Sequence, residues 1–161
     1  MKKPVVWALA VVIVAVVGVG GWRYWQSTQP SAAAVPAIDA NDAELVALGR
    51  DVYRAQCASC HGLDMRGEPN WQQRKPNGRL PAPPHNETGH TWHHPDSVLF
   101  ALTKYGLSAV AGRPVTTDMP AFEGTLSDRE IAASLAYIKS TWPLEIRRRH
   151  QQMSEQAARK R

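Results

Sequence analysis

The chain has 161 residues and a formal net charge of +5, a length that argues for one modest domain with attachments. The charge is unevenly placed: residues 43–142 hold ten basic and ten acidic side chains, so the excess lies at the two ends. A nucleic-acid-binding domain carries its basic footprint on the folded part, and that class is set aside.

From Pro4 to Trp22 run 19 residues without a charge. At about 1.5 Å per residue, a helix of this length covers roughly 28 Å, close to the hydrocarbon thickness of a bilayer. Lys2 and Lys3 precede the stretch and only Arg23 follows closely, which predicts a cytoplasmic N-terminus. Trp22, Tyr24 and Trp25 suit an interfacial aromatic belt. The competing reading is a cleaved signal peptide with Ala32-Ala33-Ala34 at its end. The long apolar run, and the WRYWQSTQP spacer before those alanines, favour a retained anchor over residues 1–25. On either reading the rest of the chain faces the non-cytoplasmic side.

Residues 26–42 are small, polar and proline-containing, which predicts a flexible linker. Asn41 or Asp42 caps a helix running through AELVALGRDVYRAQ, with Leu45, Leu48, Val52 and Tyr53 as its buried stripe. Between His61 and Thr91 the chain is rich in proline and glycine, without a sustained period. Pro95-Asp96 opens a second helix that Gly106 is expected to stop. After another loop, Ser127 and Glu130 form a capping box for a helix whose apolar face is Ile131, Leu135, Ile138 and Trp142. Pro143 ends it, and residues 143–161 form a basic, helix-like tail. Such a tail either touches anionic lipid or an acidic partner, or is frayed and solvated. No repeat and no strand alternation is visible. Three shortish helices with long loops leave little side-chain core in a domain of about 100 residues, so another apolar body is expected at its centre.

The only cysteines are Cys57 and Cys60, followed at once by His61. A C-x-x-C pair serves as a redox dithiol, as half of a zinc site, or, with a following histidine, as a covalent haem attachment. The redox use wants a βαβ context, and zinc wants two further ligands at characteristic spacing. Haem attachment needs two thiols on one helical turn for the porphyrin vinyl groups and an adjacent imidazole for the iron. It also supplies the missing apolar body, and is the preferred reading. Methionine is a common second axial ligand. Met119, in TTDMPAF, is the candidate: Pro120 stiffens the backbone there and Phe122 can pack on the ring. Met65, four residues past His61, reads as a packing residue.

On these residues the chain resembles a class I cytochrome c: Gly49-x-x-x-Tyr53-x-x-x-Cys57-Ala-Ser-Cys60-His61, then Met119-Pro120-Ala121-Phe122, then LAYIKS-x-Trp142. It resembles in particular the membrane-anchored mono-haem cytochromes c of bacteria, many of which share a TGHTWHHPD-like segment. The resemblance covers residues 43–142 and implies an all-α fold wrapped around one covalent haem c. It implies that the first and last helices of the domain cross at Gly49. It also implies a loop-proline carbonyl bonded to the haem histidine, with Pro83 as candidate and Pro84 next. For location it implies the bacterial inner membrane, with the haem domain facing the periplasm.

The departure from the ordinary pattern is PPHNETGHTWHHPD, which holds His85, His90, His93 and His94. Three readings compete: a second metal site, such as copper; a histidine in place of Met119; and a polar lining at the haem edge. In the preferred last reading Trp71, Arg79, Trp92 and one or two histidines meet the haem carboxylates. A haem with both axial positions filled carries single electrons. The expected partners are therefore the membrane, through the anchor, and redox proteins such as a quinol-oxidising complex, a dehydrogenase or a terminal oxidase. The alternatives are a haem subunit of a redox enzyme with a labile sixth ligand, and a metal-handling accessory protein.

Overall fold

The structure, a computed structural model, describes residues 35–160. The anchor expected over residues 1–25 and the linker up to residue 34 lie outside the described residues. Among those described, no helix is long and apolar enough to cross a membrane. The described chain forms helices α1 (Ala43–Gln56), α2 (Ala58–His61), α3 (Asp96–Ala111), α4 (Asp128–Ser140) and α5 (Leu144–Arg159), with one 3₁₀ turn at Thr91–His93. The expected all-α class is observed. An isolated bridge between Leu80 and Thr117 is its nearest approach to a sheet.

Helix α1 starts where its cap dictates: the Asp42 carboxylate accepts from the backbone N–H groups of Glu44 and Leu45, each at 3.0 Å. Helix α4 starts on the expected capping box, with Ser127 and Glu130 bonding reciprocally. Its face of Ile131, Leu135, Ile138 and Trp142 is buried. The two helices cross at Gly49, where a Cβ would overlap the Ala133 carbonyl and crowd Tyr137. Any side chain at position 49 would force them apart. Leu45 and Tyr53 join α4 in the core, Val52 is buried, and Leu48 is only partly buried.

Gly106 stops the regular turns of the second helix, as expected: it adopts φ 83° and ψ 166°, a conformation that essentially only glycine takes, and a separate helical stretch then runs to Ala111. A continuous helix would spend the carbonyls of Thr103 and Lys104 on its own next turn. Here they accept from the N–H groups of Phe122 and Glu123, at 3.1 and 2.9 Å. The kink thus ties the chain just after Met119 to α3.

Two expectations need correction. The linker ends earlier than residue 42. Ile38 is buried, and its carbonyl accepts from Lys139 Nζ at 2.7 Å. Lys139 is itself only 3% exposed and pairs with Asp96 at 2.9 Å. A buried ammonium must have partners, and the 35–38 segment supplies one of them.

Finally, the tail from residue 143 is neither frayed nor separate. Helix α5 packs on α3 and on the Thr91–His93 turn. His150 is buried and its Nε2–H donates to the His94 carbonyl at 2.9 Å, while Ser154 Oγ accepts from the Asp96 N–H at 3.0 Å. Pro95 stands at the N-cap of α3 and offers no side-chain acceptor, so α5 provides it. The folded domain extends well past Trp142.

Candidate functional site

The CASCH turn follows α1 with almost no break: Cys57 closes α1 and opens α2, and His61 is the last residue of α2. Both cysteines are unpaired thiols. Burial, and then the neighbouring Cys60, push the Cys57 thiol up to about 11. A redox dithiol needs its nucleophile lowered, so the environment opposes that use.

His61 is buried, and its Nδ1–H donates to the Pro83 carbonyl at 2.9 Å. Burial lowers its pKa, against the opposing effects of the Pro83 hydrogen bond and Glu68. The result is a neutral ring whose Nδ1 carries the proton and whose Nε2 keeps a lone pair, the form a metal requires.

The carbonyl is held in place by its own surroundings. Gly67, at φ 67°, donates its N–H to the His61 carbonyl at 2.9 Å, closing the loop after CASCH. A Cβ on Gly67 would overlap the Ala82 carbonyl and the Pro83–Pro84 backbone. Next to it, Glu68 Oε2 accepts from the Ala82 N–H at 2.7 Å. Two unpaired thiols three residues apart, an oriented imidazole and this close backbone cradle fit covalent haem.

Met119 is partly buried on the segment between α3 and α4. Arg79 Nη1 donates to the Thr117 carbonyl at 2.9 Å and to the Asp118 carboxylate at 2.6 Å. With the Leu80–Thr117 bridge and the Phe122 tie to α3, the Met119 segment is fastened on both sides. Pro120 is exposed and Phe122 buried. Met65 is buried, with its sulfur 3.3 Å from the Thr141 hydroxyl oxygen, so its surroundings are those of a packing residue.

The histidine-rich segment does not gather into one place. His85 stacks on His61, with ring centroids 3.9 Å apart and 22° between planes. His90 stacks on Trp71 at 5.2 Å, and its edge meets His94 at 5.6 Å. His93 lies on Trp92 at 3.7 Å. Among the described residues no group of three or more histidine, cysteine, aspartate or glutamate side chains is placed to hold a metal ion. Zinc at the CASCH turn and copper in the loop therefore lack a ligand set. Of the donors expected at the haem carboxylates, Trp92 gives its indole N–H to the Glu87 carbonyl at 3.3 Å, and Arg79 is committed to the Met119 segment through Nη1.

Sequence reasoning missed His150, Lys139 and the stacked position of His85. A lone histidine inside a basic run, such as His150 in RRRHQQ, carries no local signal. Its only hint is that it lies eight residues past Trp142, within reach of the same core.

An all-helical domain that presents two thiols and a lone-pair imidazole on one turn defines a covalent haem protein. The cytochrome c family profile matches residues 46–142, more than half of the chain, and the chain belongs to that family. It is accordingly a haem-based electron-transfer protein with one covalent haem c. Neither curated proteins nor solved structures gave a match.

Proposed function

We propose that this protein is a membrane-tethered mono-haem electron carrier on the periplasmic side of a bacterial inner membrane. It passes single electrons between a quinol-oxidising or dehydrogenase complex and a terminal acceptor. The haem supplies a reversible one-electron change at iron. Cys57 and Cys60 would hold it through thioethers, and His61 Nε2 and the Met119 sulfur would be the side-chain donors to its iron.

The observation that carries this reading is the His61–Pro83 bond of 2.9 Å, which orients the imidazole as a donor while a fastened Met119 segment supplies the second one. With His61 and Met119 both serving as donors, the iron would carry electrons and would offer no open position to a substrate. Arg79 spends Nη1 on the Met119 segment and retains other N–H donors for a haem carboxylate, beside Trp71; the indole N–H of Trp92 is already given to the Glu87 carbonyl. The uncharged stretch from Pro4 to Trp22 is what supports the tether.

The test is optical. The ferric full-length protein is expected to show the far-red charge-transfer band of sulfur-to-iron ligation, lost in Met119→Ala. The ferrous protein is expected not to bind carbon monoxide. Rapid carbon monoxide binding by the wild type would make it instead a haem centre with an open iron. Release from membranes by alkaline carbonate would overturn the tether.

A further inference from the structure

We propose that His85 is a positioning residue for the haem ligand, lying flat against His61 and fixing the rotation of that ring about its metal bond. Thr91 and Trp142 hold His85 in turn. The inference rests on the reading of His61 as the iron ligand.

Every polar group of His85 that the structure accounts for is engaged. Its backbone N–H donates to the Met65 carbonyl at 2.8 Å, and its carbonyl accepts from the Trp142 indole at 2.7 Å. Its ring Nδ1 lies 2.9 Å from Thr91 Oγ1. The Thr91 hydroxyl donates its own proton to the Pro84 carbonyl at 3.3 Å, so toward His85 it accepts, and His85 carries its proton on Nδ1. Consecutive carbonyls thus orient the two stacked imidazoles: Pro83 holds His61 directly, and Pro84 holds His85 through Thr91.

Tyr53 and His85 also meet edge to face, with ring centroids 6.2 Å apart at 71°. Tyr53 is itself pinned by its hydroxyl, which donates to the Gly62 carbonyl at 3.0 Å. An apolar residue would fill this space and keep the two backbone bonds, but would lose the bond to Thr91. What the imidazole adds is a flat face held at a fixed angle.

The need for such a face follows from hydrogen-bond geometry. A single N–H···O bond tolerates tens of degrees of misalignment, so Pro83 alone leaves His61 some rotation. A parallel ring 3.9 Å away takes that rotation up, because turning His61 would drive its edge into the His85 face. Trp142 extends the control to the end of α4, and its own ring meets His150 of α5 edge to face at 5.0 Å. The orientation of the ligand is therefore linked to the docking of the last helix.

Proton NMR of the ferric holoprotein reads ligand rotation directly, because the order of the shifted haem-methyl resonances depends on the imidazole plane. Thr91→Val keeps the volume but removes the acceptor for His85 Nδ1. It is expected to change that order, and Thr91→Ser is expected to restore the wild-type one. Trp142→Phe, which keeps a ring against His150 but loses the bond to His85, is expected to change it in the same direction. If Thr91→Val fails to load haem, Trp142→Phe decides alone. Folded variants with the wild-type order overturn the proposal, since a merely structural role would change stability and leave the order intact. A wild-type spectrum without shifted His61 ring protons would instead overturn the ligand reading itself.

Discussion

The two sides of the proposed haem site are built differently. On the His61 side the ligand, its carbonyl partner and the loop between them are locked by backbone contacts: Gly67 to His61, Glu68 to Ala82, and His61 to Pro83. On the Met119 side the segment is held by an arginine pair whose members are 41% and 48% exposed, one isolated bridge and two bonds to a kinked helix. Close backbone packing resists deformation, whereas exposed ion pairs are individually weak. The histidine end is therefore the fixed wall and the methionine end the part that yields first.

The strongest way to break this comparison is at its rigid end. Gly67→Ala puts a Cβ into the Ala82 carbonyl and forces φ 67° on a residue that disfavours it. Overpacking and left-handed strain together predict a loss of about 3 kcal/mol. Chemical denaturation of the holoprotein measures it, and a loss below about 1 kcal/mol would show that this wall gives way. Gly106→Ala is the counterpart at the yielding end. Its φ of 83° is closed to alanine and its Cβ would press on Ala121 at 3.3 Å, a cost of about 1–3 kcal/mol. The far-red band of Met119 ligation is expected to weaken in this variant and to be unaffected in any Gly67→Ala protein that remains loaded.

Part of this contrast is legible in the sequence, and the division follows chain distance. The Asp42 cap, the Ser127–Glu130 box and the C-x-x-C-H turn are local patterns, in which residues two to four apart satisfy each other. Gly49 is legible only through resemblance, because nothing near it in the chain says which backbone approaches. Arg79 with Asp118, Lys139 with Ile38, and His150 with His94 join residues far apart, and no periodicity predicts them. The same holds for α5. Its basic run looks solvated until one buried histidine and Ser154 are placed against the N-terminus of α3.

Acid acts on the comparison from the His61 side. Burial lowers the pKa of His150; Asp96 opposes that shift and Lys139 adds to it. A histidine with a depressed folded-state pKa binds its proton more readily when unfolded. Its contribution is thus complete above about 6.5 and is lost as pH falls toward the folded value. The Trp142 ring beside it and the His94 carbonyl on Nε2 offer no place for a second proton, and Nδ1 is buried without a partner. The melting temperature is expected to fall between pH 7 and pH 5, and to fall less in His150→Leu. Equal slopes in the two proteins would mean that α5 is not held through this ring.

The smallest effect on stability is expected at Arg79, and it separates stability from ligation. Arg79→Ala removes an ion pair more than one-third exposed on both sides and one bond to the Thr117 carbonyl. Surface pairs of this kind contribute about 0.5–1 kcal/mol, so global unfolding is expected to shift little. The Met119 segment, however, loses its tie to Arg79 and keeps on that side the Leu80–Thr117 bridge and the half-exposed Lys75–Asp118 pair at 3.9 Å. Local opening draws on this local deficit and not on the global stability. Added imidazole or cyanide is therefore expected to displace Met119 from ferric iron about three- to fivefold faster than in wild type, the factor that about 0.6–1 kcal/mol represents. An unchanged displacement rate would place the control of Met119 in the Phe122 and Glu123 bonds to α3, and Gly106→Ala would then be the variant that accelerates exchange.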